Sequence, residues 1–200
     1  MPRRILLFCL AGLAVNFGVA WSTTVVPIGF DSLVSKAELI FVGKVVDRRS
    51  VYAGGRTRLI VTDVTFDVLR VIKGAAGMQT RLTFLGGRVG AEGLVVTGMP
   101  QFEIGDRDVL FVGDRTASSP LVGFWQGRFR VRADSATGRD VVYTHNGGPI
   151  FEGFGDSPAM KARRAGGTNG VMPQSRSLSL GDFESLVRNR VGTTTARPFR

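Results

Sequence analysis

The sequence predicts a mainly β domain with a short helix at each end. Short runs of valine, isoleucine, leucine and phenylalanine recur along the chain and stop at glycines, as strands do in antiparallel sheets. The 200 residues include 27 glycines and 8 prolines, which suits a turn-rich β protein better than a helical one. With 44% hydrophobic and 21% charged residues, the composition excludes a disordered chain, a collagen and a multi-span membrane protein. We therefore expect an antiparallel barrel or sandwich.

The first residues carry the pattern of an export signal. Arg3 and Arg4 precede an apolar run at residues 5–15, and residues 18–20 place small side chains at a cleavage motif. The run is shorter than a membrane-spanning helix requires, which favours a cleaved signal. A retained membrane anchor is the alternative interpretation. We predict a signal peptide at residues 1–20 and an exported protein, either periplasmic or secreted.

The β domain is predicted at residues 21–145, with a short helix at 30–37 before the strands. The predicted strands are 39–46, 62–73, 81–85, 94–96, 108–112, 121–125, 128–132 and 140–143. In the second strand the apolar residues occupy even positions as far as Val68 and odd positions from Leu69 onwards. A phase slip of one residue predicts a β-bulge, which bends a strand around a barrel corner.

The composition changes after the last predicted strand. Residues 146–180 hold seven glycines and three prolines and are predicted to form a loop or linker, whose first part Phe151 and Phe154 pin onto the barrel. Apolar residues at helical spacing predict a helix at 182–191, within a C-terminal region at 181–200 whose end frays.

Three segments carry a family resemblance. Residues 37–45 (AELIFVGKV), 65–74 (TFDVLRVIKG) and 102–112 (FEIGDRDVLFV) resemble the strand plan of netrin-like modules, such as tissue inhibitors of metalloproteinases. The resemblance covers residues 31–132 and extends to uncharacterised exported bacterial proteins. It implies an OB-fold-like antiparallel barrel and an exported binding role, with a secreted protease as one candidate partner. In the inhibitors an N-terminal cysteine binds the protease zinc. Here the single cysteine, Cys9, lies in the predicted signal, so the resemblance does not extend to that mechanism.

The net charge of +10 is unevenly distributed. The predicted signal contributes +2, and residues 31–156 contribute +2 from 16 basic and 14 acidic residues. Residues 157–200 contribute +6 from eight basic and two acidic residues. The β domain is therefore nearly neutral, and we do not predict nucleic-acid binding. The basic tail predicts at most a weak contact with an anionic cell envelope.

The main candidate site is a row of arginines. Arg128, Arg130 and Arg132 alternate along one predicted strand, which places them on one face, and Trp125 lies nearby. Arginines beside an aromatic ring suit carboxylate-rich surfaces or other polyanions, so we predict ligand binding by these four residues. The alternative is an ordinary solvated strand face, neutralised by Asp134 and Asp140.

Other motifs give weaker indications of chemistry. His145, the only histidine, has no recognisable nucleophile motif to serve as its partner. Residues 86–90 are glycine-rich, but a strand rather than a helix follows them, which favours a hairpin over a phosphate-binding loop. Glu103, Asp106 and Asp108 lack a calcium-loop spacing. We predict no catalytic residues, metal or cofactor.

The sequence thus predicts a monomeric, non-enzymatic binding module for an unidentified protein partner. One alternative is a cell-envelope module held by its basic tail. The other is a hydrolytic enzyme that uses His145.

Overall fold

A computed structural model describes residues 27–54, 58–151 and 177–195. The predicted signal, Cys9 and Phe154 lie outside these ranges. The described chain confirms the mainly β class, with two helices that flank the strands, as predicted. The elements are α1 (Phe30–Lys36), β1 (Leu39–Tyr52), β2 (Ile60–Lys73), β3 (Gln79–Leu85), β4 (Gly87–Val89), β5 (Glu92–Leu94), β6 (Arg107–Val112), a 3-10 helix (Phe124–Gly127), β7 (Arg128–Ala133), β8 (Asp140–Thr144) and α2 (Leu180–Thr195). Within the described ranges, neither helix is long and apolar enough to cross a bilayer.

The strands form one antiparallel sheet and a separate hairpin. The sheet has the order β3-β2-β1-β6-β7-β8, and β4 pairs with β5. Its two edge strands, β3 and β8, do not pair with each other in the described chain, so the sheet is not closed into the barrel that we predicted. The outer edge of β8 is covered by residues 149–151 and 177–179: the Val142 amide donates to Leu178 (3.1 Å) and its carbonyl accepts from Ile150 (3.2 Å). Both ends of the glycine-rich segment are therefore part of the fold.

The predicted bulge in β2 is confirmed at Leu69. This residue has no partner on β1, because Val68 and Arg70 pair with consecutive residues of that strand. Phe66, before the bulge, packs on one side of the sheet, whereas Ile72, after it, packs on the other. The bulge thus bends a 14-residue strand and lets it contribute to both cores.

The sheet separates two hydrophobic cores. The helix-side core contains α1, α2 and residues from β1, β6, β7 and β8, with Phe183 packed against Phe30 and Phe129 at centroid distances of 5.8 and 5.0 Å. The loop-side core lies on the other face, where Phe102 packs between Phe66 and Phe84. Phe102 follows an irregular segment at residues 95–101, and burial of its ring holds this segment against the sheet.

The strand predicted at residues 121–125 is wrong. Only Leu121 forms a β-bridge there, to Val112. The chain then turns, because Gly123 and Phe124 both have positive φ angles (66° and 59°), and the 3-10 helix begins. This turn carries Trp125 to the loop side of the sheet, beside residues 98–101.

Candidate binding site

A groove on the loop side of the sheet brings together most of the predicted site residues. We call it the tryptophan groove, and it has a volume of about 380 Å³. It is lined by residues 98–101, Trp125, Arg128, Arg130 and His145. Arg132 lies outside it, exposed on the same strand, with its guanidinium 6.0 Å from the ring centroid of Tyr143.

Trp125 and His145 form the aromatic side of this groove. Trp125 packs directly on the backbone of Gly98, where a Cβ would approach the indole Cζ3 to 2.2 Å and where φ is +81°. The imidazole of His145 stacks at an angle, 5.6 Å from the indole centroid. Loss of hydration, and then the charge of Arg128, lower the pKa of His145. This shift favours the neutral imidazole, in which one nitrogen donates and the other accepts hydrogen bonds.

Arg128 is a buried structural residue. Its side chain is 5% exposed and binds the fully buried Asp108 through two hydrogen bonds of 2.9 Å, from Nε and Nη2. It also donates to the Gln101 carbonyl, and its guanidinium lies 4.1 Å above the ring of Phe102. Burial raises the pKa of Asp108, although the charge and hydrogen bonds of Arg128 act in the opposite direction. Arg128 thus fixes the floor of the groove rather than presenting a free charge.

Arg130 is held less tightly. Its Nη2 lies 3.3 Å and 3.4 Å from the two carboxylate oxygens of Asp106, and no other hydrogen bond from this guanidinium is made within the described residues. Asp106 is shared, because it also accepts from Arg128 at 2.7 Å and from the Glu103 amide at 3.0 Å. Burial alone would raise the pKa of Asp106, but these hydrogen bonds and the two arginine charges together lower it. The carboxylate therefore stays ionised and divides its charge between two partners.

The arginines are thus neutralised by residues other than those we predicted. Asp140 makes a bidentate pair with Arg107, and Asp134 accepts from the amides of its own turn. Asp106 and Asp108, whose spacing we had compared only with that of a calcium loop, supply the charge instead. The sequence did contain an indication of this arrangement. Asp106 and Asp108 are two positions apart, so they lie on one side of the chain, and the pairing of β6 with β7 places that side next to Arg128.

A second cavity lies under the β4–β5 hairpin, and we call it the hairpin groove. It measures about 470 Å³ and is lined by strands β1–β3, the hairpin and residues 99–102. Its floor is apolar, with Val64, Phe84 and Phe102 from the loop-side core. Gly87 lets the hairpin backbone approach the sheet, because a Cβ there would lie 2.2 Å from Thr62 Oγ1.

The two grooves share one wall. Met99, Pro100 and Gln101 line both cavities. Arg48 donates to the Phe102 carbonyl at 2.9 Å from the hairpin side, and Arg128 donates to Gln101 from the other side. Arginines therefore hold this wall from both directions, and we call the two adjacent grooves together the depression.

The charged residues that line the depression all have the same sign. They are Arg48 and Arg88 in the hairpin groove and Arg128 and Arg130 in the tryptophan groove. Among the described residues, no aspartate or glutamate lines either cavity. The carboxylates that pair with Arg48, Arg128 and Arg130 belong to Glu103, Asp106 and Asp108, which line neither cavity.

The described residues offer little for other chemistry. His145 shares its groove with no serine, threonine, cysteine or carboxylate of the described chain. Within the same ranges, no three histidine, cysteine, aspartate or glutamate residues are grouped to hold a metal ion. Residues 86–90 belong to a hairpin, as predicted, but residues 87–89 form its first strand rather than its loop, and no helix N-terminus of the kind that a phosphate loop needs follows them in the described chain.

Comparison with protein-family models, with curated proteins and with solved structures finds no match to this chain.

Proposed function

We propose that this protein is a non-enzymatic binding module that holds an extended segment of a protein partner. The observation that carries the proposal is the shared wall at residues 99–101, which lies between two adjacent cavities. A chain laid across this wall places side chains in both grooves. Each cavity falls within the range of about 300–1,000 Å³ that is typical of ligand sites.

The lining favours binding over catalysis. Hydrolysis with His145 as general base requires a nucleophile or a positioned water and a group that orients the imidazole. His145 instead contacts the indole of Trp125 and lies within the electrostatic influence of Arg128. An aromatic ring, an apolar floor and a few fixed hydrogen-bonding groups are the usual composition of a recognition surface.

The wider setting of this proposal comes from the sequence. The predicted export signal favours a periplasmic or secreted protein, which we propose to be a monomer, and the netrin-like resemblance makes a secreted protease one candidate partner. The pairing of β1 with both β2 and β6 is compatible with a partly open OB-fold-like arrangement, since such barrels are not always fully closed. We retain the OB-fold interpretation as part of the proposal on this basis.

Site-specific photo-crosslinking in the exporting cell tests the proposal. Val95 lines the hairpin groove and is 92% exposed, and Met78 is 91% exposed but lines neither groove, so the two positions form a matched pair. A photoreactive amino acid at position 95 is expected to yield one discrete protein adduct, and the same group at position 78 none. Equal adduct patterns at both positions, or no adduct at position 95, would contradict the proposal.

Two alternatives make different predictions. If the basic tail holds the protein on the envelope, replacement of Lys161, Arg163, Arg164 and Arg176 by glutamine abolishes a salt-sensitive envelope association and leaves the adduct at position 95 unchanged, without removing the core residues of α2. If the protein is a hydrolase, purified chain shows an activity that His145→Ala removes.

A further inference from the structure

We propose that the segment held in the depression is acidic, and that its carboxylates are bound by Arg88 in the hairpin groove and by Arg130 in the tryptophan groove. This inference rests on the proposed function and specifies the chemistry of the partner. It follows from the lining, where the described residues supply four arginines and no carboxylate.

Two of the four arginines are already occupied. Arg48 is bound to Glu103 at 2.9 Å and to a backbone carbonyl, and Arg128 is bound to Asp108. To redirect either one would break contacts that hold the shared wall. Arg48 and Arg128 contribute positive potential to the depression, but their N–H groups already donate to acceptors within the protein.

The other two arginines have donors to offer. Arg88 is exposed on β4 and forms no ion pair with any described carboxylate. Arg130 has only the long contact with the shared Asp106. A guanidinium presents a planar fork that matches a carboxylate, so each of these residues can form a bidentate pair with an acidic side chain or a chain terminus. The depression thus has one available arginine on each side of the wall.

The surface between these arginines fits a peptide better than a nucleic acid. It consists of Met99 and Pro100, which are buried, and of Val95 and Gln101, which are exposed, so it is apolar apart from one amide side chain. Single-stranded nucleic acid is usually bound by several aromatic rings in a strongly positive groove. The described lining has two aromatic rings near these arginines, Trp125 and His145, which already stack on each other, and the β domain is nearly neutral. Apolar side chains flanked by carboxylates match this arrangement.

The test uses purified full-length chain and a fluorescein-labelled peptide of about ten residues, which spans about 33 Å when extended. Glutamate alternates in it with valine and proline. A second peptide carries glutamine in place of every glutamate, and an oligodeoxythymidine of equal length serves as a polyanion. Fluorescence anisotropy at one fixed salt concentration compares the three probes, because surface charge effects depend on ionic strength.

The glutamate peptide is expected to bind at least about tenfold more tightly than either the glutamine peptide or the oligonucleotide, which corresponds to about 1.4 kcal/mol. Arg88→Gln and Arg130→Gln should each remove most of that preference. Arg132→Gln, on the same strand but outside the groove, should leave it unchanged. The glutamine peptide should bind all four proteins equally, which separates loss of charge recognition from misfolding.

Val95→Glu provides a variant that leaves every arginine in place. A carboxylate at this rim position should weaken binding of the glutamate peptide more than that of the glutamine peptide, whereas Met78→Glu should change neither. Equal affinity for the two peptides, oligonucleotide binding as tight as that of the acidic peptide, or an Arg132→Gln effect as large as that of Arg130→Gln would overturn the inference. A crosslinked partner at position 95 combined with any of these results would reject the acidic chemistry and leave the proposed function standing. Absence of the crosslink would reject the proposed function itself.

Discussion

Replacement of Arg128 by methionine tests whether the buried ion pair holds the site together. The variant leaves Asp108, which is fully buried, without its charged partner. Removal of one member of a buried pair typically costs about 3–5 kcal/mol, because the remaining charge is uncompensated. With a urea m-value of about 2 kcal/mol/M, the unfolding midpoint should fall by about 1.5–2.5 M. Arg132→Met, at the exposed end of the same strand, should stay within about 0.5 kcal/mol of the parent protein.

The pH dependence provides a second check. Burial raises the pKa of Asp108, and the charges of Arg128 and Arg130 lower it. Without Arg128, less of the raising effect of burial is cancelled, so the pKa of Asp108 in the folded state rises further above its unfolded value of about 3.9. A raised folded-state pKa means that the folded protein binds the proton more tightly. The stability deficit of Arg128→Met should therefore shrink as the pH falls through the folded-state pKa, and the charge penalty should be fully relieved below about pH 4. The pKa of His145, the only histidine, should rise in the same variant, and one imidazole NMR signal reports it.

The double variant Arg128→Met/Asp108→Leu separates the two causes. If the uncompensated carboxylate is responsible, the double variant recovers most of the loss, since apolar replacements of a buried pair are often neutral. The reasoning is refuted if Arg128→Met loses less than about 1 kcal/mol at pH 7, or if its deficit is the same at pH 4 and pH 7.

Three further variants test the fold around the site. Deletion of Leu69, which is half exposed and has no partner on β1, removes the bulge and leaves the later residues of β2 opposite their present partners, so urea unfolding should show a loss below about 2 kcal/mol, and a loss above about 3 kcal/mol would contradict the register. Gly98→Ala should cost about 1–3 kcal/mol and change the tryptophan fluorescence, whereas Gly105→Ala, which has a positive φ but open space, should leave the fluorescence unchanged. Arg107→Gln should return the pKa of Asp140 towards its ordinary value, because the hydrogen bond from Arg107 is the main cause that lowers it. The partly exposed pair contributes about 0.5–1 kcal/mol above pH 4, which is lost as the pH falls through the lowered pKa, so parent and variant should converge near pH 2.

Local features of the fold were visible in the sequence. The phase slip after Val68 predicts the bulge because the side to which a strand residue points depends only on its position along that strand. Whether the sheet closes into a barrel could not be predicted in this way, because closure depends on which distant segment of the chain covers an edge strand. Residues 177–179 cover β8 from more than 30 positions further along the chain, and no pattern near β8 indicates them.

The position of Trp125 was equally difficult to predict. Residues 121–125 are mostly apolar, which favours a strand, and Gly123 alone indicated a break. The positive φ of Phe124 is unusual for a non-glycine residue, and propensities do not anticipate it. This turn is nevertheless what carries the indole to the wall at residues 98–101.

Alternation placed three arginines on one face but could not give their depth. Arg128 and Arg130 pair with β6 through Leu110 and Asp108, whereas Arg132 lies beyond the last pair between β6 and β7 and has only β8 beside it. The side chain of Arg128 is therefore buried, that of Arg130 is half-buried and that of Arg132 is exposed. A fully buried guanidinium cannot bind a ligand without loss of fold stability, and an isolated exposed one gains little from an ion pair in water. Arg130 lies between these limits, with its charge held in place and its donors incompletely used, and for this physical reason it is the arginine of β7 that we assign to the ligand.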